Sequence, residues 1–344
     1  MANQVTLTLT LPNGKRKYFR GATKKEAERK RDEAKRQLAS GIDLTTNPTV
    51  EEFTKMWLAE YKEGVVRDTT YLNLVNHINN HILPELGRLR MREVRPAHIQ
   101  RMVRSMEGLA KSSQSRILTV VKEIFKTAVE NDVIAKTPCI SSIKPRGEEP
   151  EEKVPLTSEQ EKTLLDKARG TNMYLFVLLG LSAGLRHGEL LGLEWKDIDL
   201  DTGMLTVQRT VAITREKRSG DIVDGTKTDA AHRTIPLPWS VIEEVRAAKS
   251  RSHSVYVIPG PKGSFMTFAC CAYRWNKLFD GLDFRITPHR MRHTRITRWF
   301  EQGLDLKEIQ YLAGHADIHL TLDVYTHYQE SSRLPETAKK IRAV

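Results

Sequence analysis

Gly184-Leu185-Arg186-His187-Gly188-Glu189 is the stretch on which the reading of this chain turns. An arginine precedes a glutamate by three positions, a spacing that puts both on one helical face and lets the carboxylate orient the guanidinium. A guanidinium stays charged and presents a planar fork that fits two phosphate oxygens. Three further segments add groups of the same kind: Asp224-Gly225-Thr226-Lys227-Thr228, His289-Arg290-Met291-Arg292, and Gly314-His315 followed by Val324-Tyr325-Thr326-His327. In chain order they supply Arg, Lys, His, Arg, His and Tyr. A phosphodiester undergoing exchange gathers negative charge on its non-bridging oxygens, and fixed donors lower the barrier where that charge develops. The set suits phosphoryl transfer to a hydroxyl. No Walker-type glycine loop accompanies it, and no two-metal carboxylate cluster.

Two of these positions have local support. Thr287-Pro288 reads as the N-cap and first residue of a helix, which places His289 at a helix N-terminus, where free amides and the dipole favour an anion. Arg292 lies one turn later on the same face. Gly314 reads as a helix C-cap directly before His315.

Taken together, in this order and at these separations, the four segments resemble the tyrosine recombinases, specifically the integrases of phages and integrative mobile elements. The resemblance is strong from about Leu156 to Val344 and looser over the first 150 residues. It implies a site-specific recombinase that cuts and rejoins DNA through a 3′-phosphotyrosyl intermediate and a Holliday junction. Tyr325 would be the nucleophile and Lys227 the general acid for the 5′-oxygen. Arg186, His289, Arg292 and His315 would hold the scissile phosphate, with Glu189 orienting Arg186. A phenol ionises near about 10, so its attack at neutral pH needs cations or a base beside it. The phosphotyrosyl ester keeps the energy of the broken bond, so neither cofactor nor metal is expected. Tyr328, one turn on, is the rival nucleophile, and Lys217 competes with Lys227. His315 and Tyr325 stand ten positions apart where many relatives have nine, and some relatives carry Trp in place of His315. Arg290 points away from His289 and reads as a DNA-backbone or structural contact.

Working outward, the fold class expected is multidomain α+β. Residues 156–344 form the catalytic domain, mainly helical with a small antiparallel sheet whose strands cover about 205–213 and 232–236. Asp197, Asp199 and Asp201 alternate, but Gln208 stands where a calcium loop needs Glu, so they read as structural. Residues 139–155, rich in Pro, Gly, Ser and charge, read as a flexible linker. Residues 49–138 read as a helical domain, with helices near 50–61, 68–82, 96–107 and 112–132 separated by Pro84, Gly87 and Gly108. The i, i+4, i+8 stripe of Phe53, Trp57 and Tyr61 reads as core. The resemblance makes this domain the one that grips the crossover site.

Residues 1–45 alternate apolar and hydroxylated side chains from Val5 to Leu11. They turn at Pro12-Asn13-Gly14 and return as Lys15-Arg16-Lys17-Tyr18-Phe19-Arg20, a hairpin followed by a charged helix capped by Thr23. Such a piece resembles the arm-type DNA-binding domain of integrases, with Lys15, Arg16, Lys17, Tyr18 and Arg20 as DNA contacts. A basic hairpin can equally be a charged, solvated appendage.

Charge agrees with a polyanionic partner. The chain has 55 Lys and Arg against 43 Asp and Glu, net +12, and its first 45 residues hold eleven of the former against five of the latter. The three cysteines, Cys139, Cys270 and Cys271, lack metal-ligand spacing and read as reduced thiols. No apolar run approaches a membrane span and the N-terminus lacks a signal-peptide pattern, so a cytoplasmic protein of a bacterial host, acting at the nucleoid, is expected. The partners implied are double-stranded DNA at core-type and arm-type sites, a homotetramer on that DNA, an excisionase and a host DNA-bending protein. The tail from Leu334 is expected to dock on a neighbouring protomer. Two other classes share parts of this pattern: a type IB topoisomerase-like relaxase, and a DNA-binding regulator that has lost activity.

Overall fold

The computed structural model describes residues 4–39, 41–148, 154–224 and 232–322. The chain divides into two compact units, Met1–Glu151 and Glu152–Val344. Among the described residues, no helix is long and apolar enough to cross a membrane.

The first unit begins with the hairpin β1 (Val5–Thr10) and β2 (Arg16–Gly21), paired antiparallel with Thr8 opposite Tyr18, and continues into α1 (Lys24–Ala39). Thr23 caps α1 by accepting the Glu26 amide at 3.2 Å. Period two sorts the basic strand onto two faces. Arg16, Tyr18 and Arg20 are exposed, while Phe19 turns inward against a small cluster of Leu11, Ala34, Ile42 and Leu44. Lys17 also turns inward: its Nζ donates to the Leu44 carbonyl at 3.3 Å. It therefore lies on the opposite face of the strand from Arg16, Tyr18 and Arg20.

Helices α2 (Val50–Tyr61), α3 (Asp68–His77), α4 (Leu83–Leu86), α5 (Pro96–Ser105) and α6 (Lys111–Glu130) follow. Thr49 and Glu52 close a capping box at the start of α2. Phe53 and Trp57 are buried, and Trp57 Nε1 donates to Thr127 Oγ1 at 3.2 Å, so the aromatic stripe is core; Tyr61 sits at its edge on Asn131. Pro84 does not separate two helices as expected. The helical path runs through a π turn at Ile78–Ile82 into α4, with Pro84 in its first turn. The turn widens just ahead of Pro84, which has no amide to donate to the helical ladder.

The expected linker 139–155 is also different in its first ten residues. Ile143 is buried in the helical core, the Arg146 amide donates to the buried Gln114 Oε1 at 2.9 Å, and the Lys111 amide donates to the Glu148 carbonyl at 3.1 Å. Ile143 and the partly buried Cys139 anchor the stretch on that core, a signal too small to raise the local hydrophobic period. Residues 149–153 lie outside the described set.

In the second unit, α7 (Ser158–Ala168) is capped by Thr157, and α8 (Tyr174–Ala183) is apolar on every side and nearly all buried. Gly184 ends α8 in the left-handed region, φ 62°, where a Cβ is costly. The short α9 (His187–Leu191) follows. Strands β3 (Ile198–Asp199), β4 (Met204–Val207), β5 (Arg209–Ala212), β6 (Asp221–Asp224) and β7 (Arg233–Pro236) form two small antiparallel sheets, ordered β3-β4-β7 and β5-β6. The stretch expected as one strand over 205–213 thus changes partner at Gln208. Its alternation of Leu205, Val207, Arg209 and Val211 toward the interior continues across the break. Helices α10 (Trp239–Lys249), α11 (Phe268–Leu278), α12 (Pro288–Glu301) and α13 (Leu306–Ala313) complete the described part. Asp197 pairs with the buried Arg209, and Asp199 Oδ1 accepts the amides of Asp201 and Thr202. Both roles are structural.

Candidate active site

Arg186 is the N-cap of α9, and Glu189 closes a capping box with it: the carboxylate accepts the Arg186 amide at 2.8 Å and its Nη1 at 2.8 Å. The sequence places the pair one turn apart within a helix; the structure puts the arginine just outside it, where the carboxylate reaches both its backbone and its guanidinium. Gly188 lets α9 approach β5, since a Cβ there would collide with Thr210 Oγ1 and the Val211 carbonyl. Arg186 also donates through Nη2 to the Gly314 carbonyl, and its side chain remains 40 % exposed.

Arg292, on the first turns of α12, is buried at 2 % exposure. Its Nη1 donates to the Gly184 carbonyl at 2.8 Å and its Nη2 to the Ala313 carbonyl. Burial first, then the neighbouring Arg186 charge, brings its guanidinium down to about 9, with Glu189 opposing the shift. It stays cationic at neutral pH. His289, three residues earlier, is exposed at the N-terminal turn of α12. Thr287 occupies the N-cap position and Pro288 the first turn, but no side-chain cap bond forms. Arg290 is half-buried beside it.

Gly314 caps α13 in the left-handed region, φ 63°, and delivers His315. The His315 Nδ1 sits 2.8 Å from the Oγ1 of buried Thr321, which fixes the ring plane, and its amide donates to the Gln310 carbonyl at 3.1 Å. Burial above all, followed by the charges of Arg292, Arg186, Arg233 and His289, pushes the imidazole down to about 4. Those same charges describe the site. The charges of Arg186 before α9, Arg233 on β7, and His289 and Arg292 on α12 thus all act on one imidazole. A recess of about 250 Å³ beside His315 is lined by Lys307, Gln310, Tyr311, Gly314 and Ala316.

Arg233 is the member that sequence reasoning missed. It is fully buried, with Nη1 and Nη2 on the two Glu189 oxygens at 3.0 and 2.7 Å and Nε on the Leu312 carbonyl at 2.8 Å. Burial alone would raise the Glu189 carboxyl, but hydrogen bonds and charge from Arg233, then Arg186, outweigh it and hold the group at about 2. A signal was present: Arg233 and Ile235 share the inward face of β7, and a charge on a buried strand face needs a partner. Thr321 and Gln310 carried no comparable signal.

The arrangement offers guanidiniums on a carboxylate scaffold, one of them half-open to solvent, with an imidazole and a helix N-terminus beside it. Such an arrangement is chemically able to stabilise an oxyanion. Lys227 and Tyr325, with Tyr328, lie outside the described residues. Lys217 is placed and engaged, its Nζ 3.0 Å from Asp221. Cys271 is buried against His187 Nε2 at 3.3 Å, and burial raises its thiol to about 12, so it is held as an inert thiol. Among the described residues, no cluster of His, Cys, Asp and Glu is set up to hold a metal.

Comparison with known proteins supplies the family. The phage integrase family matches residues 155–332, and the N-terminal SAM-like domain of phage integrases matches residues 49–106. A XerC-like tyrosine recombinase from Caldanaerobacter subterraneus subsp. tengcongensis is 31 % identical, covering 94 % of this chain and 92 % of its own length. An integrase from Streptomyces ambofaciens is 27 % identical over 91 % of this chain and 86 % of its own. Among solved structures, the Tn1549 transposon integrase in complex with transposon right-end DNA is similar with a TM-score of 0.70 and 25 % identity, covering 83 % of this chain and 99 % of that one. A lambda integrase tetramer bound to a Holliday junction shares the fold with a TM-score of 0.63 at 18 % identity, over 92 % and 91 % of the two chains. The cationic site thus sits inside the matched region, and the chain belongs to the phage integrase family: it is a tyrosine recombinase, an enzyme of site-specific DNA strand cutting and rejoining.

Proposed function

We propose that this recombinase joins DNA through Tyr325. The phenolic oxygen attacks the scissile phosphorus, the 5′-oxygen leaves with a proton from Lys227, and a 3′-phosphotyrosyl ester forms. The 5′-hydroxyl of a second duplex then attacks that ester and frees the tyrosine. Arg186, Arg292, His289 and His315 hold the non-bridging oxygens throughout, and Glu189 keeps Arg186 in place. No net bond energy is lost, so no nucleotide or metal is required. The observation that carries this reading is the meeting of Arg186 and Arg292, more than a hundred residues apart in the chain, on the carbonyls of Gly314 and Ala313 directly before His315. Charge placed in advance where negative charge develops is the largest single source of such catalysis.

The complexes of related integrases with DNA and with a Holliday junction support duplex DNA as substrate and a tetramer as the working assembly. The exposed Arg16, Tyr18 and Arg20, opposite Thr10, Thr8 and Thr6, suit an arm-type DNA contact, and residues 49–138 suit a contact with the crossover site. Lys15 at the turn adds charge. Arg290 would touch the backbone near the cut. The same reading places the protein in the cytoplasm of a bacterial host, with an excisionase and a DNA-bending protein as further partners and the tail from Leu334 docked on a neighbour.

The test uses a nicked duplex that traps the covalent intermediate. Wild-type protein is expected to run with DNA in a denaturing gel, and Tyr325→Phe to lose the adduct while binding duplex as before; Tyr328→Phe retains it. An adduct formed by Tyr325→Phe, or strand joining stopped by EDTA, overturns the proposal.

A further inference from the structure

The three arginines of the site share one support. The last carbonyls of α13 and its cap each accept a different guanidinium: Leu312 from Arg233, Ala313 from Arg292 and Gly314 from Arg186. These are the orphan carbonyls at a helix C-terminus, the negative end of its dipole, and cations are favoured there. A helix end thereby stabilises three like charges that repel one another. His315 follows directly on the chain. Whatever sets the position of this turn sets the positions of Arg186, Arg292 and His315 together.

Arg233 is the member with no opening to solvent, its side chain 0 % exposed. It bridges the two halves of the support. On one side it takes both oxygens of Glu189, each of which also accepts from Arg186. On the other it takes the Leu312 carbonyl. A second stitch lies next to it: the Thr234 amide donates to Tyr311 Oη at 3.2 Å, so β7 is tied to the last turn of α13 at two successive residues. In sequence, Lys227 stands six residues before Arg233.

The geometry points to Arg233 as a positioning residue for strand cleavage, one that touches no DNA but fixes the end of α13 against Glu189, and so sets the spacing of Arg186, Arg292 and His315. The inference rests on the phosphate-holding role given above to Arg186 and Arg292. A fork is required. Lysine keeps the charge but cannot reach two carboxylate oxygens and a carbonyl at once. A displacement of about 1 Å in such a site costs about 100-fold in rate.

The experiment compares Arg233→Lys, Arg186→Lys and wild type in single-turnover cleavage of the nicked duplex at saturating protein, with duplex affinity and thermal unfolding measured alongside. Arg233→Lys is expected to cleave about 100-fold more slowly with duplex affinity within about threefold of wild type. A second substrate replaces one non-bridging oxygen of the scissile phosphate by methyl, removing the charge that the clamp holds. On it, the Arg233→Lys deficit should shrink, which a merely structural defect would not produce. If Arg233→Lys cleaves at the wild-type rate while Arg186→Lys is slow, the inference fails and the clamp stands. If both cleave normally, the clamp itself fails. A deficit that is the same on both substrates also overturns the inference. Should Arg233→Lys not fold, Glu189→Gln, which keeps the shape and removes the shared charge, is put through the same pair of substrates with the same expectations.

Discussion

Around Trp57 and Phe125, the first unit buries apolar side chains and three neutral polar ones, Thr54, Gln114 and Thr127. Around Leu205 and Met291, the second unit buries a comparable apolar core and, with it, Glu189, Asp197, Arg209, Arg233 and Arg292. Among the described residues, the buried charges all fall on the catalytic side. Burying an ion costs several kcal/mol even after relaxation, and partners only offset that cost. Asp197 with Arg209 is such an offset pair and contributes to the join between helix and sheet. Arg292 is different, because its hydrogen bonds go to two carbonyls and its nearest charges include two further arginines. The helical unit is built for stability. The catalytic unit accepts repulsion among like charges, which the phosphate-holding role proposed for them would use.

That contrast can be broken in three ways, the largest effect first. Trp57→Ala should destabilise the helical unit by about 3–5 kcal/mol through the cavity left and the lost hydrogen bond to Thr127. Hydrogen exchange resolved by segment would read this as weaker protection across α2 to α6, with α7 to α13 unchanged. Loss of protection around α12 as well would mean that the two units do not hold their cores separately.

Arg292→Met should do the reverse. Cleavage is expected to fall by about 2.7–4 kcal/mol of transition-state stabilisation, roughly 100- to 1000-fold. Stability should change by only about 1–2 kcal/mol, because the two lost carbonyl bonds are weighed against relief of a buried cation. An Arg292→Met protein that melts as early as Trp57→Ala would make Arg292 a structural residue.

The smallest effect is a pH dependence. His315 is held near 4 in the folded protein against about 6.5 in an unfolded chain. Between those values the unfolded state binds the extra proton, so this residue's contribution to stability is lost as pH falls from about 6.5 through 4. NMR titration of the His315 ring, assigned with His315→Gln, should give a midpoint near 4 without DNA and a higher one when a phosphodiester anion offsets the arginines. A midpoint near 6.5 in the free protein would remove the cationic field from the description.

Most of the secondary structure could be read from local pattern. The hairpin declared itself by period two and Pro12-Asn13-Gly14, α2 by its aromatic spacing, and α12 by Thr287-Pro288. The differences have two causes. Pro84 sits in a continuing helix that widens locally in the π turn just before it, whereas Ile143 and Cys139 rest on the helical core and β4 and β5 take different partners, both of them contacts with neighbours distant in sequence. Lys17 lies on the inward face for a simple reason: its strand alternates, and Arg16, Tyr18 and Arg20 take the open face.

By itself the sequence determined the chemistry available, since Arg186, His289, Arg292 and His315, with Lys227 and Tyr325, can be counted from their motifs, and it determined the helices and hairpin that short-range spacing encodes. Tertiary structure decided which arginine is buried, that Arg233 joins them, and that one helix end supports all three. Those facts depend on contacts between residues 186, 233, 292 and 312–315, which no local window contains. They also depend on a balance between desolvation and hydrogen bonding that exists only once the core has closed around them.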